Sequence, residues 1–149
     1  MKYFKRLDVY KNHNGSNKVS LTNKAAYSYN WWKYFAEIEL SSGKKLTVFN
    51  DTYYSSTTTR HQWQAKSLLR ENNVEIDLAL GHTRISLRHP REAIKREIKY
   101  YTDSIFENLS VIDNKGTTKK KNNERVEDIN KSVERIRELK SILKQIKVA

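Results

Sequence analysis

The alternation that begins at Trp32 constrains this chain more than any other stretch. Apolar side chains recur at every second position, Trp32, Tyr34, Ala36, Ile38 and Leu40. Lys33, Glu37 and Glu39 lie between them, with Phe35 as the exception. A period of two marks a strand with one buried face. Ser41, Ser42, Gly43 and Lys44 follow as a turn in which Gly43 can take a positive φ. Leu46 and Val48 then resume the alternation, so the two runs read as a hairpin. Asn50 and Asp51 end the second strand. Residues 57–72 have helical spacing, with His61, Ala65, Leu68 and Leu69 on one face and Trp63 towards its side. The centre of the chain, residues 27–69, therefore reads strand, strand, helix.

The flanks extend this pattern. Residues 3–11 alternate loosely, with Tyr3, Leu7 and Val9 on one face, and the Asn14-Gly15 pair inside 13–17 is a hairpin signal. Residues 18–22 can return with Val19 and Leu21 inward. Beyond the helix, Val74, Ile76, Leu78 and Leu80 alternate with Glu75, Asp77 and Ala79, which predicts a further strand. Gly81-His82 turns the chain, and 83–88 is expected to return as a strand with Ile85 and Leu87 inward. Pro90 suits the first turn of a helix, where its missing N–H would be unpaired anyway. Ile94, Ile98, Tyr101, Ile105 and Leu109 then form one helical stripe. Residues 113–123 hold no apolar side chain and read as a linker. After it Val126, Ile129, Val133 and Ile136 begin a seam that Leu143 and Ile146 extend, with Lys140 in a seam position and Leu139 beside it.

The expected fold class is α+β: an antiparallel sheet of four to six strands with two packed helices and a C-terminal coiled-coil-like helix. The expected organisation is an α+β domain over 1–112, a polar linker over 113–123 and an amphipathic oligomerisation helix over 124–149. The alternative for that last helix is to fold back on the domain.

Composition removes several chemistries. There is no cysteine, which excludes disulfides, zinc-thiolate sites and thiol nucleophiles. The four histidines, His13, His61, His82 and His89, form no His-x-x-x-His or Glu-x-x-His ligand pair. His61 falls on an apolar helix face, where a core histidine is the plainer outcome. His82-Thr83 matches one half of a His-x-Thr phosphoesterase element, but the required second copy is missing. No Gly-rich phosphate loop, Gly-x-Ser-x-Gly or dinucleotide fingerprint occurs, so neither catalytic residues nor a cofactor or metal are expected. No run of about 18 apolar residues is present, so no membrane span is expected. The first six residues lack the apolar block of a signal peptide.

Charge points the other way, towards a partner. The formal net charge is +12, and the excess is positive at both ends and in the middle of the chain. Such a field favours phosphate-rich partners or an acidic protein face. One candidate group is Arg84, Arg88, Arg91 and Lys95, which could meet as a patch across the Pro90 junction. An i, i+4 pair of Glu92 with Arg96 is the plainer use of such charge. A second candidate interleaves aromatics with bases: Tyr27, Tyr29, Trp31, Lys33 and Phe35 on one strand face, with Tyr54 and Arg60 downstream. Rings offer stacking surfaces to bases and cations neutralise phosphates, unless a helix covers that face and makes the rings core. The Ser/Thr run 55–59, including Thr58, either caps the following helix or seats a phosphate at its N-terminus.

The run Tyr29-Asn30-Trp31-Trp32-Lys33, then Val48-Phe49-Asn50-Asp51 and Tyr54-Ser55-Ser56-Thr57-Thr58-Thr59-Arg60-His61-Gln62, resembles a module of small uncharacterised bacteriophage proteins over residues 27–80. The resemblance implies a virus-encoded protein acting in the host cytoplasm, often a binder that blunts host defence. The expected function is a non-enzymatic binder of a phosphate-bearing ligand, nucleic acid or signalling nucleotide. Its expected ligand contacts are Arg84, Arg88, Arg91, Lys95, Tyr27, Tyr29, Tyr54, Thr58 and Arg60. The alternative is an inhibitor that binds an acidic face of a host defence protein. A homo-oligomer through 124–147 is expected in either case.

Overall fold

The computed structural model describes residues 32–71, 73–112 and 118–146, with only the backbone of Thr57 and of residues 9–11, 17–21 and 25–28. Residues 13–16 of the expected turn, Tyr29, Trp31 and residues 113–117 of the linker lie outside the described residues, while Asn17 opens a strand. In chain order the elements are β1 (Val9–Lys11), β2 (Asn17–Leu21), β3 (Ala25–Ser28), β4 (Trp32–Glu39), β5 (Lys45–Asn50), α1 (Ser56–Glu71), β6 (Leu78–Leu80), α2 (Pro90–Ile112) and α3 (Lys119–Gln145). Neighbouring strands follow chain order, antiparallel as far as β5. β6 then joins β5 in parallel, with Val48 opposite Leu78 and Asn50 opposite Leu80.

The expected antiparallel sheet of four to six strands with two packed helices is not what forms. The sheet described with its side chains has three strands, β4, β5 and β6, and it is mixed. Three helices pack on it rather than two. The cause lies between β5 and β6. A helix of 16 residues connects them, and a crossover of that length returns the chain in parallel rather than as a hairpin.

A bulge divides the core. Ala26 stands opposite Phe35 and Tyr27 opposite Lys33, so Tyr34 is an extra residue on β4. One extra residue exchanges the two faces of a strand. Trp32 and Tyr34 therefore join Phe35 and Phe49 under α1, against Ala65 and Leu69. Ala36, Ile38 and Leu40 point to the opposite face, with Leu46, Val48, Leu78 and Leu80, beneath α2 and α3. The alternating series does not line one face. The consecutive apolar residues Tyr34-Phe35-Ala36 mark where the parity changes.

Other expected strands shorten or vanish. After α1, Asn73 adopts a left-handed φ of 57° and the Val74 N–H bonds the Leu69 carbonyl at 2.9 Å, which closes the helix end. Asp77 then spends its side chain on the Thr47 N–H (2.8 Å), so only Leu78–Leu80 pairs as a strand. Residues 83–88 form no strand. Their polar groups are met singly: the Asn50 amide donates to the Thr83 and Ile85 carbonyls, and the Leu87 N–H to the Lys33 carbonyl. Pro90 opens α2 as expected.

α3 begins at Lys119, inside the expected linker, where the Thr118 hydroxyl accepts from the Lys121 N–H (3.3 Å). It runs back along α2, with Arg125 bonded to Asn108 near one end and Arg91 to the Leu143 carbonyl near the other. Leu139 and Ile146 are buried in the core, and the Ser41 N–H bonds the Gln145 carbonyl at 2.6 Å. The last helix is thus packed into the domain rather than separated from it. No helix among the described residues is long and apolar enough to cross a membrane.

Candidate ligand-binding site

The carboxyl ends of β5 and β6 face the N-terminus of α1, and two loops meet there. In open sheets with parallel strands this is the usual place for a ligand. The loops are 51–55, after β5, and 81–89, after β6. Buried polar side chains fasten one to the other. Asn50 holds residues 83 and 85 through its amide and the Thr52 N–H through its Oδ1 (3.1 Å). The Gln62 amide donates to the Asn50 and Thr52 carbonyls, and the Thr83 N–H bonds the Thr52 hydroxyl (2.9 Å). Buried amides without partners would cost ~1–3 kcal/mol each, so this network fixes one loop arrangement. From the other side the buried Glu97 carboxylate accepts the Gly81 N–H (2.9 Å) and the His82 N–H (2.6 Å). The His82 ring lies flat on Tyr100, with ring centroids 3.7 Å apart.

On this frame sits a stack of three groups. Trp32 is buried and donates its ring N–H to the Arg84 carbonyl at 3.0 Å. Tyr54 stacks on Trp32 with ring centroids 5.5 Å apart and is 38% exposed. The Arg84 guanidinium is held 5.7 Å over the Tyr54 ring. The fork of N–H donors on a guanidinium matches a phosphate. Tyr53 beside it is 61% exposed. Ser55 caps α1 by accepting from the Thr58 N–H (3.1 Å), and Arg60 lies exposed one turn further on.

The other expected contacts separate from this stack. Thr58 is buried, with its hydroxyl 3.1 Å from that of Ser55, so it belongs to the cap. The group spanning Pro90 is divided. Arg91, in the first turn of α2, is half-buried against the last turn of α3, and Lys95 pairs with Glu92 at 3.4 Å. Arg88 is exposed beside Lys33, and burial together with the Arg88 charge lowers the Lys33 pKa. Tyr27 is seen only as backbone, opposite Lys33. Phe35 is core, since α1 covers that sheet face.

Trp63 does not lie towards the side of the apolar face, as its spacing was expected to place it. It is 73% exposed. At about 100° per residue it lies about 200° from both His61 and Ala65, so the helical wheel itself carried the signal. A groove of about 610 Å³ runs beside it, with Lys66 and Arg70 on the α1 side and Val74, Glu75 and Ile76 opposite. Lys66 also pairs with Asp51.

Among the described residues, no group of three or more His, Asp or Glu side chains could hold a metal ion. The chain matches no protein-family model, no curated protein and no solved structure.

Proposed function

We propose that this chain is a non-enzymatic binding protein for a phosphate-bearing ligand, nucleic acid or nucleotide, received by Arg84, Tyr54 and Arg60. The observation that carries the reading is the guanidinium of Arg84 held over a part-exposed Tyr54 ring, itself stacked on buried Trp32. A cation for phosphate and a ring face for a base stand side by side, at a helix N-terminus whose dipole favours negative charge. The net charge of +12 adds a long-range attraction for such ligands. The resemblance to phage proteins adds a setting, a host cell whose defence is countered by capturing this ligand. Titration calorimetry at low salt, with a nucleotide panel and a short oligonucleotide, tests the proposal. Heat of binding that Arg84→Ala weakens at least tenfold is expected. No binding of any member overturns it.

Self-association belongs to the same proposal, through Val126 of the expected seam together with residues of α2. Leu139 and Ile146 are spent inside the domain, whereas Val126 on α3 and Phe106 and Leu109 on α2 remain exposed. Light scattering is expected to give an oligomer for the full chain and a monomer for Phe106→Glu. A monomer in both removes self-association.

A further inference from the structure

The exposed face of α1 again carries a ring and cations together, as its N-terminus does. Arg60, Trp63, Ser67 and Arg70 follow one another at spacings of three, four and three, and all four are exposed. They lie opposite the buried face of His61, Ala65 and Leu69. Trp63, the most exposed large apolar side chain among the described residues, stands between the two arginines. At about 1.5 Å per residue, Arg60 and Arg70 are about 15 Å apart along the helix. Stacked nucleotides rise about 3.4 Å each, so that span corresponds to roughly four nucleotides. A mononucleotide carries its phosphates at one end and meets one cation site of this series. A polymer strand supplies a phosphate to each arginine and a base to the ring between them.

The groove beside Trp63 fits the same occupant. Its wall is an indole ring, Val74 and Ile76 are half-buried apolar side chains along it, and Lys66 and Arg70 stand on the α1 side. An apolar slot with cations on one edge suits a splayed-out base whose phosphates stay outside, as single strands are commonly held. The nearby acids are Asp51, which pairs with Lys66, Glu75 in the groove and Glu71 at the helix end; the last two place the end of the track at the C-terminus of α1.

We infer that the outer face of α1 is a binding track for single-stranded nucleic acid, running from Tyr54 and Arg84 at its N-terminus to Trp63, Arg70 and the groove beside them. This rests on the proposed phosphate-binding function and narrows its ligand to a polymer. The test is fluorescence anisotropy of the full chain with labelled oligothymidylates of increasing length, with thymidine triphosphate and an unlabelled duplex as competitors. Affinity is expected to rise with length up to at least four nucleotides, and the duplex to compete poorly. Trp63→Ala is expected to weaken the oligomer roughly five- to hundred-fold, as for loss of one stacked base, and to leave triphosphate binding unchanged. Its side chain is in solvent, so the variant folds. Equal affinity for triphosphate and oligomer, or an unaltered Trp63→Ala, overturns the track while the phosphate site stands. Absence of binding to both overturns the track and the proposed function together.

Discussion

At the scale of single residues, the buried polar groups carry the consequences. Tyr34 is fully buried, its hydroxyl donates to the His61 carbonyl at 3.3 Å, and burial raises its pKa above the ordinary 10.0. Above pH 10 the unfolded chain releases this proton while the folded chain keeps it. Folding stability must therefore fall as pH rises past 10, by about 1.4 kcal/mol per unit from this group. Tyr34→Phe is expected to cost about 0.5–1.5 kcal/mol at pH 7, the worth of one hydrogen bond. Urea melts should show its deficit against the wild type narrowing at pH 10.5–11. Glu97 offers a second check. Glu97→Gln leaves two N–H donors facing one carbonyl oxygen and an amide, at an expected cost of about 1–3 kcal/mol in the same melts. Both residues were visible in the sequence only as letters of an alternating or helical pattern. The alternation carried the burial of Tyr34, but not its partner 27 residues away, and neither the burial of Glu97 nor its partners about 15 residues away could be read there.

At the scale of elements, the hairpin and the helices were legible because their signals are local. β4 and β5 meet around the Gly43 turn, whose φ of 88° is the glycine-permitted value. Pro90 starts α2, and the stripe of Ile94, Ile98 and Tyr101 faces the core. The bulge at Tyr34 and the return of α3 were less legible, since a bulge needs the partner strand to define it. An apolar seam states only that a helix has a partner, not which one. The seam of α3 found the sheet and α2. Leu139→Ala is accordingly expected to cost about 2–5 kcal/mol, measured by thermal or urea unfolding. A chain ending at Ile112 is expected to lose its cooperative transition, because α2 would be left with an uncovered flank. A separate oligomerisation helix would have predicted no loss from either change.

At the scale of the whole molecule, charge and shape act together. The candidate site lies where the parallel strands end, and the proposed track continues along α1 from the same place. Binding through this surface should be steeply salt dependent. For a single strand the logarithmic slope changes by about 0.7 per phosphate neutralised. Arg60→Gln and Arg70→Gln are each expected to reduce the slope by about that amount, measured by anisotropy between about 50 and 200 mM salt. Lys95→Gln is expected to leave it unchanged, since Lys95 already pairs with Glu92 away from the track.

The sequence by itself determined where the chain turns, where it coils into helices, and that it is strongly basic. Those properties depend on residues three or four apart, on single glycines and prolines, and on a sum of charges. Only the tertiary structure decided that β6 runs parallel, that the strand alternation changes face at Tyr34, and that α3 packs inward. It also brought Trp32, Tyr54 and Arg84 into one stack from three separate segments. Each of those outcomes is a choice between partners far apart in the chain, settled by which surfaces bury together, and periodicity carries no record of that choice.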